Sequence, residues 1–228
     1  MPEKYLYEKL VEEFGRRYLS EIAVSASIKE NLNSKFELRP YQIDTFQRFI
    51  CYFEKEFDFK QYPSHLLFNM ATGSGKTLIM AGLILYLYEK GYRNFLFFVH
   101  LDNILGKTKD NFLNPSSSKY LFNQNIVIGN RRVNVSAVGN FENSNPNDIN
   151  ICFTTMSGLH SAMTTDRENS LTYEDFRKHK VVLIADEAHH MNVQTKSDIE
   201  MFESWENTVQ KIFEQNTKNI LLEFTATS

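Results

Sequence analysis

The stretch HLLFNMATGSGKTLIMAGLILYLYEK, residues 65–90, decides how this chain folds. Residues 65–70 form a short apolar run without alternation, the pattern of a strand buried on both faces. Residues 76–90 are apolar over a length that suits a helix. Between them lies Ala71-Thr72-Gly73-Ser74-Gly75-Lys76-Thr77. A glycine turn that leaves a buried strand and opens a helix is the context a phosphate-binding loop demands. Gly73 and Gly75 let the backbone curl, so that the N–H groups of the loop, Thr72 and Ser74 included, converge on phosphate oxygens. The helix N-terminus behind them adds positive potential. Lys76 is placed to reach the β- and γ-phosphates, and the Thr77 hydroxyl to complete the shell of a Mg²⁺ ion. Met70 stands where the full pattern has its first glycine. A glycine turn followed by a chance Lys-Thr would share the letters, so the flanking strand and helix carry the reading.

Working outward, residues 95–100, 151–155, 181–186 and 220–225 are further short apolar runs. Helical stretches at 101–112, 156–163, 173–178 and 199–214 separate them, the last with Phe202, Trp205, Val209 and Phe213 at helical spacing. This alternation predicts a doubly wound α/β fold around a mainly parallel sheet. Upstream, Leu6, Leu10, Phe14 and Tyr18 predict one amphipathic helix over 3–19. Pro40 opens another, with Phe46, Phe49, Ile50, Phe53 and Phe57 along its inner face. Residues 126–128 and 133–138, joined by Gly129-Asn130-Arg131-Arg132, read as a hairpin or as a pair of edge strands. Residues 140–150 and 164–170 are polar loops. The expected division is a helical extension, 1–35, and a nucleotide-binding lobe, 36–228.

The run 181–185 ends in Asp186-Glu187-Ala188-His189-His190. Ligands of open α/β sheets collect at the carboxyl ends of the strands. There Asp186 would hold Mg²⁺ through water, and Glu187 would orient and deprotonate an attacking water. A solvated helix cap could use the same pair of carboxylates. Zinc suits His189 and His190 poorly, because adjacent histidines do not share a helix face and no cysteine is near in sequence.

Composition narrows the function classes. The 228 residues are 42% hydrophobic and carry 25 Lys and Arg against 28 Asp and Glu, a net charge of −3. That rules out disorder and a dominant basic tail, but leaves room for a local basic groove. Cys51 and Cys152 fall in a predicted helix and a predicted strand, a reducing-compartment pattern of buried filler. Glu3, Glu8, Glu12 and Glu13 argue against a targeting peptide. The longest apolar run, 78–88, falls short of the roughly 18–20 residues of a membrane span. A cytoplasmic protein without membrane attachment is expected.

With these sites placed, residues 36–228 resemble the first RecA-like lobe of superfamily-two helicases and translocases, and most of all the Res motor subunit of type III restriction enzymes. The resemblance implies a RecA-like P-loop NTPase fold, three layers α/β/α. Leu38-Arg39-Pro40-Tyr41-Gln42 matches the family's adenine-reading segment, which implies that Gln42 bonds the adenine edge with Arg39 nearby. Residues 70–77 match its phosphate loop, with Lys76 catalytic beside Glu187, and residues 186–190 match its acidic box. Thr225-Ala226-Thr227 matches the segment that links ATP state to strand movement, and His189 shares that coupling role. His100, and Thr154 with Thr155, end strands where the family touches the nucleic-acid backbone. Further implications are ATP and Mg²⁺ as cofactors, DNA held without base contacts, and a methyltransferase-type specificity subunit as partner. A second RecA-like lobe and a nuclease are expected in the parent chain. Arginine fingers on that second lobe would leave residues 1–228 alone able to bind Mg-ATP and nearly unable to turn it over. A type I restriction motor or another DEAH-like helicase shares these motifs. A P-loop kinase would share Lys76 and Thr77 but needs none of the other segments. A non-catalytic ATP-binding adaptor would not need both boxes intact.

Overall fold

The computed structural model describes residues 4–100, 102–142, 144–165, 169–186 and 196–226; along 196–202 it describes the backbone alone. Six parallel strands form the main sheet: β1 (Ser64–Asn69), β2 (Asn94–Val99), β5 (Val135–Ala137), β6 (Ile149–Thr155), β7 (Val181–Asp186) and β8 (Ile220–Thr225). Their spatial order is β1-β8-β7-β2-β6-β5. The expected α/β class and parallel sheet are what the chain builds.

Successive residues of the central strands feed two separate cores. On one face Phe95, Phe97, Val99, Val182 and Ile184 pack under α4 (Pro40–Glu54), α5 (Lys76–Glu89) and α6 (Asp102–Leu113). On the other, Leu96, Phe98, Val181, Leu183 and Ala185 pack under α7 (Met156–Thr164), α8 (Tyr173–Lys178) and α9 (Lys196–Phe213). Burial on both faces is why these runs are continuously apolar.

Residues 78–88 of α5 are buried all round. A helix without a polar face must be covered on its outer side too, and the N-terminal segment supplies that cover. There α1 (Leu6–Phe14), α2 (Arg16–Glu21) and α3 (Ala26–Asn31) place Leu10, Leu19 and Ile28 in the same core as α4 and α5. The approach is close, since a Cβ on Gly82 would meet the Phe46 ring at 2.4 Å and Ile28 at 3.3 Å.

Two local expectations change. The single helix over 3–19 is broken at Gly15, which sits at φ 81° between α1 and α2 and leaves Tyr18 exposed. Glycine reaches that left-handed region without a Cβ penalty, so the chain turns there rather than continuing. The ambiguous segment resolves both ways. β3 (Ile126–Ile128) and β4 (Arg131–Val133) make an antiparallel hairpin, and β5 joins the main sheet beside β6. Asn31 of α3 pins the hairpin, accepting from Val127 N at 2.7 Å and donating to its carbonyl at 3.1 Å. Both cysteines are buried, and burial pushes the Cys152 thiol up to about 12. No helix among the described residues is long and apolar enough to cross a membrane.

Candidate nucleotide and strand-end site

Because every strand of the main sheet runs the same way, all their carboxyl ends open on one edge. Register places Asn69 opposite Thr225, Phe224 opposite Asp186, Asp186 opposite Val99, and Val99 opposite Thr155. The sheet therefore sets the glycine loop, Thr225, Asp186, His100 and Thr155 side by side in that order. Residues far apart in sequence become neighbours at strand spacings of about 4.8 Å. The backbone N–H of Met70 donates to the Thr225 carbonyl at 2.9 Å, extending the ladder to the base of the loop.

The loop itself is curled by its glycines. Gly73 and Gly75 lie at φ 76° and 84°, and Gly75 caps α5 in the left-handed conformation. Ser74 N donates to Ala71 O at 3.1 Å, closing the turn. The first turn of α4 then holds the loop from outside. Tyr41 Oη and Gln42 Nε2 both donate to the Ser74 carbonyl, at 2.7 and 3.0 Å. Gln42 Oε1 accepts from Arg39 N at 3.0 Å, which ties the same side chain to the start of α4. Arg39 in turn donates to Tyr41 Oη at 3.3 Å. Gln42 is 3% exposed, and a Cβ on Gly75 would come within 2.6 Å of its Nε2. Tyr41 was not among the residues singled out from sequence; its position one residue before Gln42 in a helix first turn is the signal that could have raised it.

The donor set fits a nucleotide with a hard divalent cation. Ser74 Oγ, between the two positive-φ glycines, is buried without a hydrogen-bond partner among the described residues. Thr77 stands in the first turn of α5, and Asp186, 7% exposed, ends β7. One hydroxyl and one carboxylate suit Mg²⁺, which completes its shell with water and substrate phosphates. Among the described residues no group of three or more His, Cys, Asp or Glu could hold a metal unaided. Glu187, His189, His190 and Thr227 lie outside the described residues, and with them the acidic box beyond Asp186.

At the far side of the same edge the hydroxyls are engaged within the protein. Thr155 is the N-cap of α7, its Oγ1 accepting from Gly158 N at 3.1 Å, and Thr154 Oγ1 donates to Thr155 O at 3.2 Å. Gly158 makes room for this cap, since a Cβ there would meet the two Oγ1 atoms at 2.8 and 3.1 Å. The His100 ring lies 5.8 Å from that of Trp205 on α9, the helix that follows the acidic strand end. His160 of α7 also bonds Thr208 of α9, at 2.8 Å. These links from α7 and β2 to α9 have no signal in local sequence.

Comparison with known proteins adds to this geometry. The family description "Type III restriction enzyme, res subunit" matches residues 35–228. A curated relative in Haemophilus influenzae, described as a probable type III restriction-modification enzyme HindVIP Res subunit, is 38% identical over 223 residues. That alignment covers 86% of this chain and 43% of the relative, so the chain spans less than half of the relative's length. Two solved structures overlap more loosely. The Sulfolobus solfataricus SWI2/SNF2 ATPase core in complex with dsDNA is 17% identical, covers 85% of this chain and 33% of its own, and gives a TM-score of 0.44. A nuclease-deletion mutant of the Type ISP restriction-modification enzyme LlaGI with a DNA substrate mimic is 15% identical, covers 84% and 18%, and gives 0.42.

Proposed function

The chain belongs to the family of type III restriction enzyme Res subunits, and from that footing we propose that residues 36–228 are the ATP-binding lobe of a motor that moves on double-stranded DNA. The observation that carries the proposal is the arrangement of one sheet edge. A glycine loop held open from outside by Tyr41 and Gln42 lies two strands from Asp186, with Thr225 between them.

In this reading the loop N–H groups of Thr72, Gly73 and Gly75 cradle phosphate together with the Ser74 hydroxyl, the Ser74 N–H being spent on the Ala71 carbonyl, and the Lys76 ammonium neutralises charge that develops on the transferred phosphoryl group. The Thr77 hydroxyl, and the Asp186 carboxylate through water, would hold Mg²⁺, which would supply further charge neutralisation. Glu187 orients and deprotonates the attacking water. Gln42 and Arg39 border the adenine, giving a preference for ATP over GTP. His189, Thr225 and Thr227 carry the nucleotide state towards the DNA-facing strand ends, where His100, Thr154 and Thr155 lie. The engaged hydroxyls of the two threonines leave backbone amides and the α7 N-terminus for phosphate, a contact that does not read sequence. A methyltransferase-type subunit would then supply target recognition.

The test is Lys76→Ala. A charge-assisted phosphate contact contributes roughly 1.5–3 kcal/mol, so affinity for a fluorescent ATP analogue should fall about tenfold to a hundredfold. Circular dichroism should be unchanged. Equal affinities in the two proteins would refute the assignment of the loop.

A further inference from the structure

Among the described residues one hydrogen bond joins α7 to α9, and it crosses an apolar interface. Met156 and Leu159 of α7 share a buried cluster with Trp205 and Val209 of α9 and with Phe98 and Ala185 of the sheet. Beside that cluster His160 Nδ1 lies 2.8 Å from Thr208 Oγ1, and Thr208 is buried. The roles within the bond are fixed. Thr208 Oγ1 donates its single proton to the Ser204 carbonyl at 3.0 Å, so towards His160 it can only accept. The ring therefore carries a proton on Nδ1 and donates it. Removing one partner leaves the other desolvated and unsatisfied, so the bond favours one placement of the two helices.

What the bond holds together gives it a use. α7 starts from the Thr155 cap, at the strand end proposed above to meet the DNA backbone. α9 is the helix that follows the acidic end of β7. The same turn of α9, residues 204–208, also sets the Trp205 ring 5.8 Å from that of His100, just past β2. One turn of α9 is thus tied to both strand ends on the DNA side. On the nucleotide side, Phe224 and Thr225 of β8 line a recess together with Phe98, Met156 and Val209. The first residue of α7 and the adjoining turn of α9 therefore border the strand that runs next to both β1 and β7.

We propose that His160 and Thr208 are positioning residues, whose bond keeps the N-terminus of α7 in register with α9 and so couples DNA contact to ATP hydrolysis. This rests on the motor reading above. Neither residue lies at the loop or at a strand end, so each acts through the helices it joins. Apolar contacts alone tolerate small shifts of one helix along another, whereas a buried directional bond does not. Without it, phosphate would meet an α7 N-terminus displaced from α9, and DNA would be bound less well in the arrangement that favours hydrolysis. Coupling of this kind is a difference in free energy between the DNA-free and DNA-bound states, so hydrolysis without DNA does not draw on it.

The experiment follows ATP hydrolysis by the full-length protein as blunt duplex DNA of arbitrary sequence is added. His160→Ala, and Thr208→Val with nearly the same shape, should each raise the DNA concentration for half-maximal stimulation about tenfold. The rate without DNA and the KM for ATP should stay within about twofold of wild type. Thr208→Ser should restore the response, as should His160→Asn, whose amide donates from near the place of Nδ1. Rates that fall together with and without DNA, alongside a lower Tm, would make the bond merely structural and overturn the proposal. So would variants that DNA stimulates as it does the wild type, and that result would leave the motor reading intact. A wild-type protein that DNA does not stimulate would overturn both.

Discussion

The loop that leaves β1 and the threonines that end β6 stand on the same edge of one sheet, yet their hydrogen bonds are committed differently. At the loop, α4 donates twice to a single carbonyl, that of Ser74, and so fixes the curl from outside. The Ser74 hydroxyl there stays buried without a partner among the described residues. At β6 the Thr155 hydroxyl closes the first turn of α7. Both strand ends bear Thr or Ser, and residue type alone does not separate them. What separates them is which group finishes the backbone bonding: a neighbouring helix in one case, the strand's own side chain in the other. A substitution at the loop should therefore register in ligand affinity, and one at the β6 end in stability.

Gly75→Ala should give the largest effect. The position is left-handed at φ 84°, and the added Cβ would lie 2.6 Å from Gln42 Nε2. A left-handed non-glycine residue costs roughly 1–2 kcal/mol, and relief of the clash would break the Gln42–Ser74 bond as well. ATP-analogue affinity should drop more than tenfold. Affinity within twofold of wild type would erase the contrast between the two strand ends.

Thr155→Ala sharpens the comparison from the other side. Loss of an N-cap costs about 1 kcal/mol, or roughly 2–4 °C in Tm for a domain of this size. Nucleotide affinity should stay unchanged. Calorimetry on the variant, paired with the analogue titration, reads both quantities at once; a fall in affinity without a fall in Tm would invert the assignment.

A smaller effect is expected away from the edge, where α4 meets the end of α5. Glu54 accepts from Lys90 Nζ at 2.7 Å and from Tyr86 Oη at 2.9 Å. The Lys90 hydrogen bond, assisted by Tyr86, holds the Glu54 carboxyl below its ordinary range. A carboxyl whose pKa is depressed on folding stabilises the fold above its unfolded pKa and loses that contribution as pH falls through the folded one. Glu54→Gln should thus lower stability near neutrality and make the acid limb of a stability–pH curve shallower. Parallel curves for the two proteins would remove this pair from the account, and it should leave ATP binding untouched in any case.

Much of this molecule was legible in its residues because the signals are local. The continuous apolar runs of β2 and β7 announce burial on both faces, and both strands are where those runs stand. The loop could be read because its glycines, its lysine and its flanking elements occupy one short stretch. Gly15 shows the limit even at short range: spacing favoured one helix, and a backbone turn that lets α2 fold over α4 prevailed. The choice between hairpin and edge strand at 126–138 was likewise open until α3 and β6 offered partners.

The sequence by itself determined the class of fold, the loop, and the strand that ends in Asp186. Hydrophobic period and glycine placement act within a few residues and need no partner. Only the tertiary structure decided that β8 lies between β1 and β7, which sets Thr225 beside both the loop and Asp186. It also decided that Tyr41 and Gln42 reach Ser74. Parallel strands are joined by long crossovers, so the identity of a strand's neighbour is written in no local pattern. It follows from which arrangement buries both faces of every strand at once.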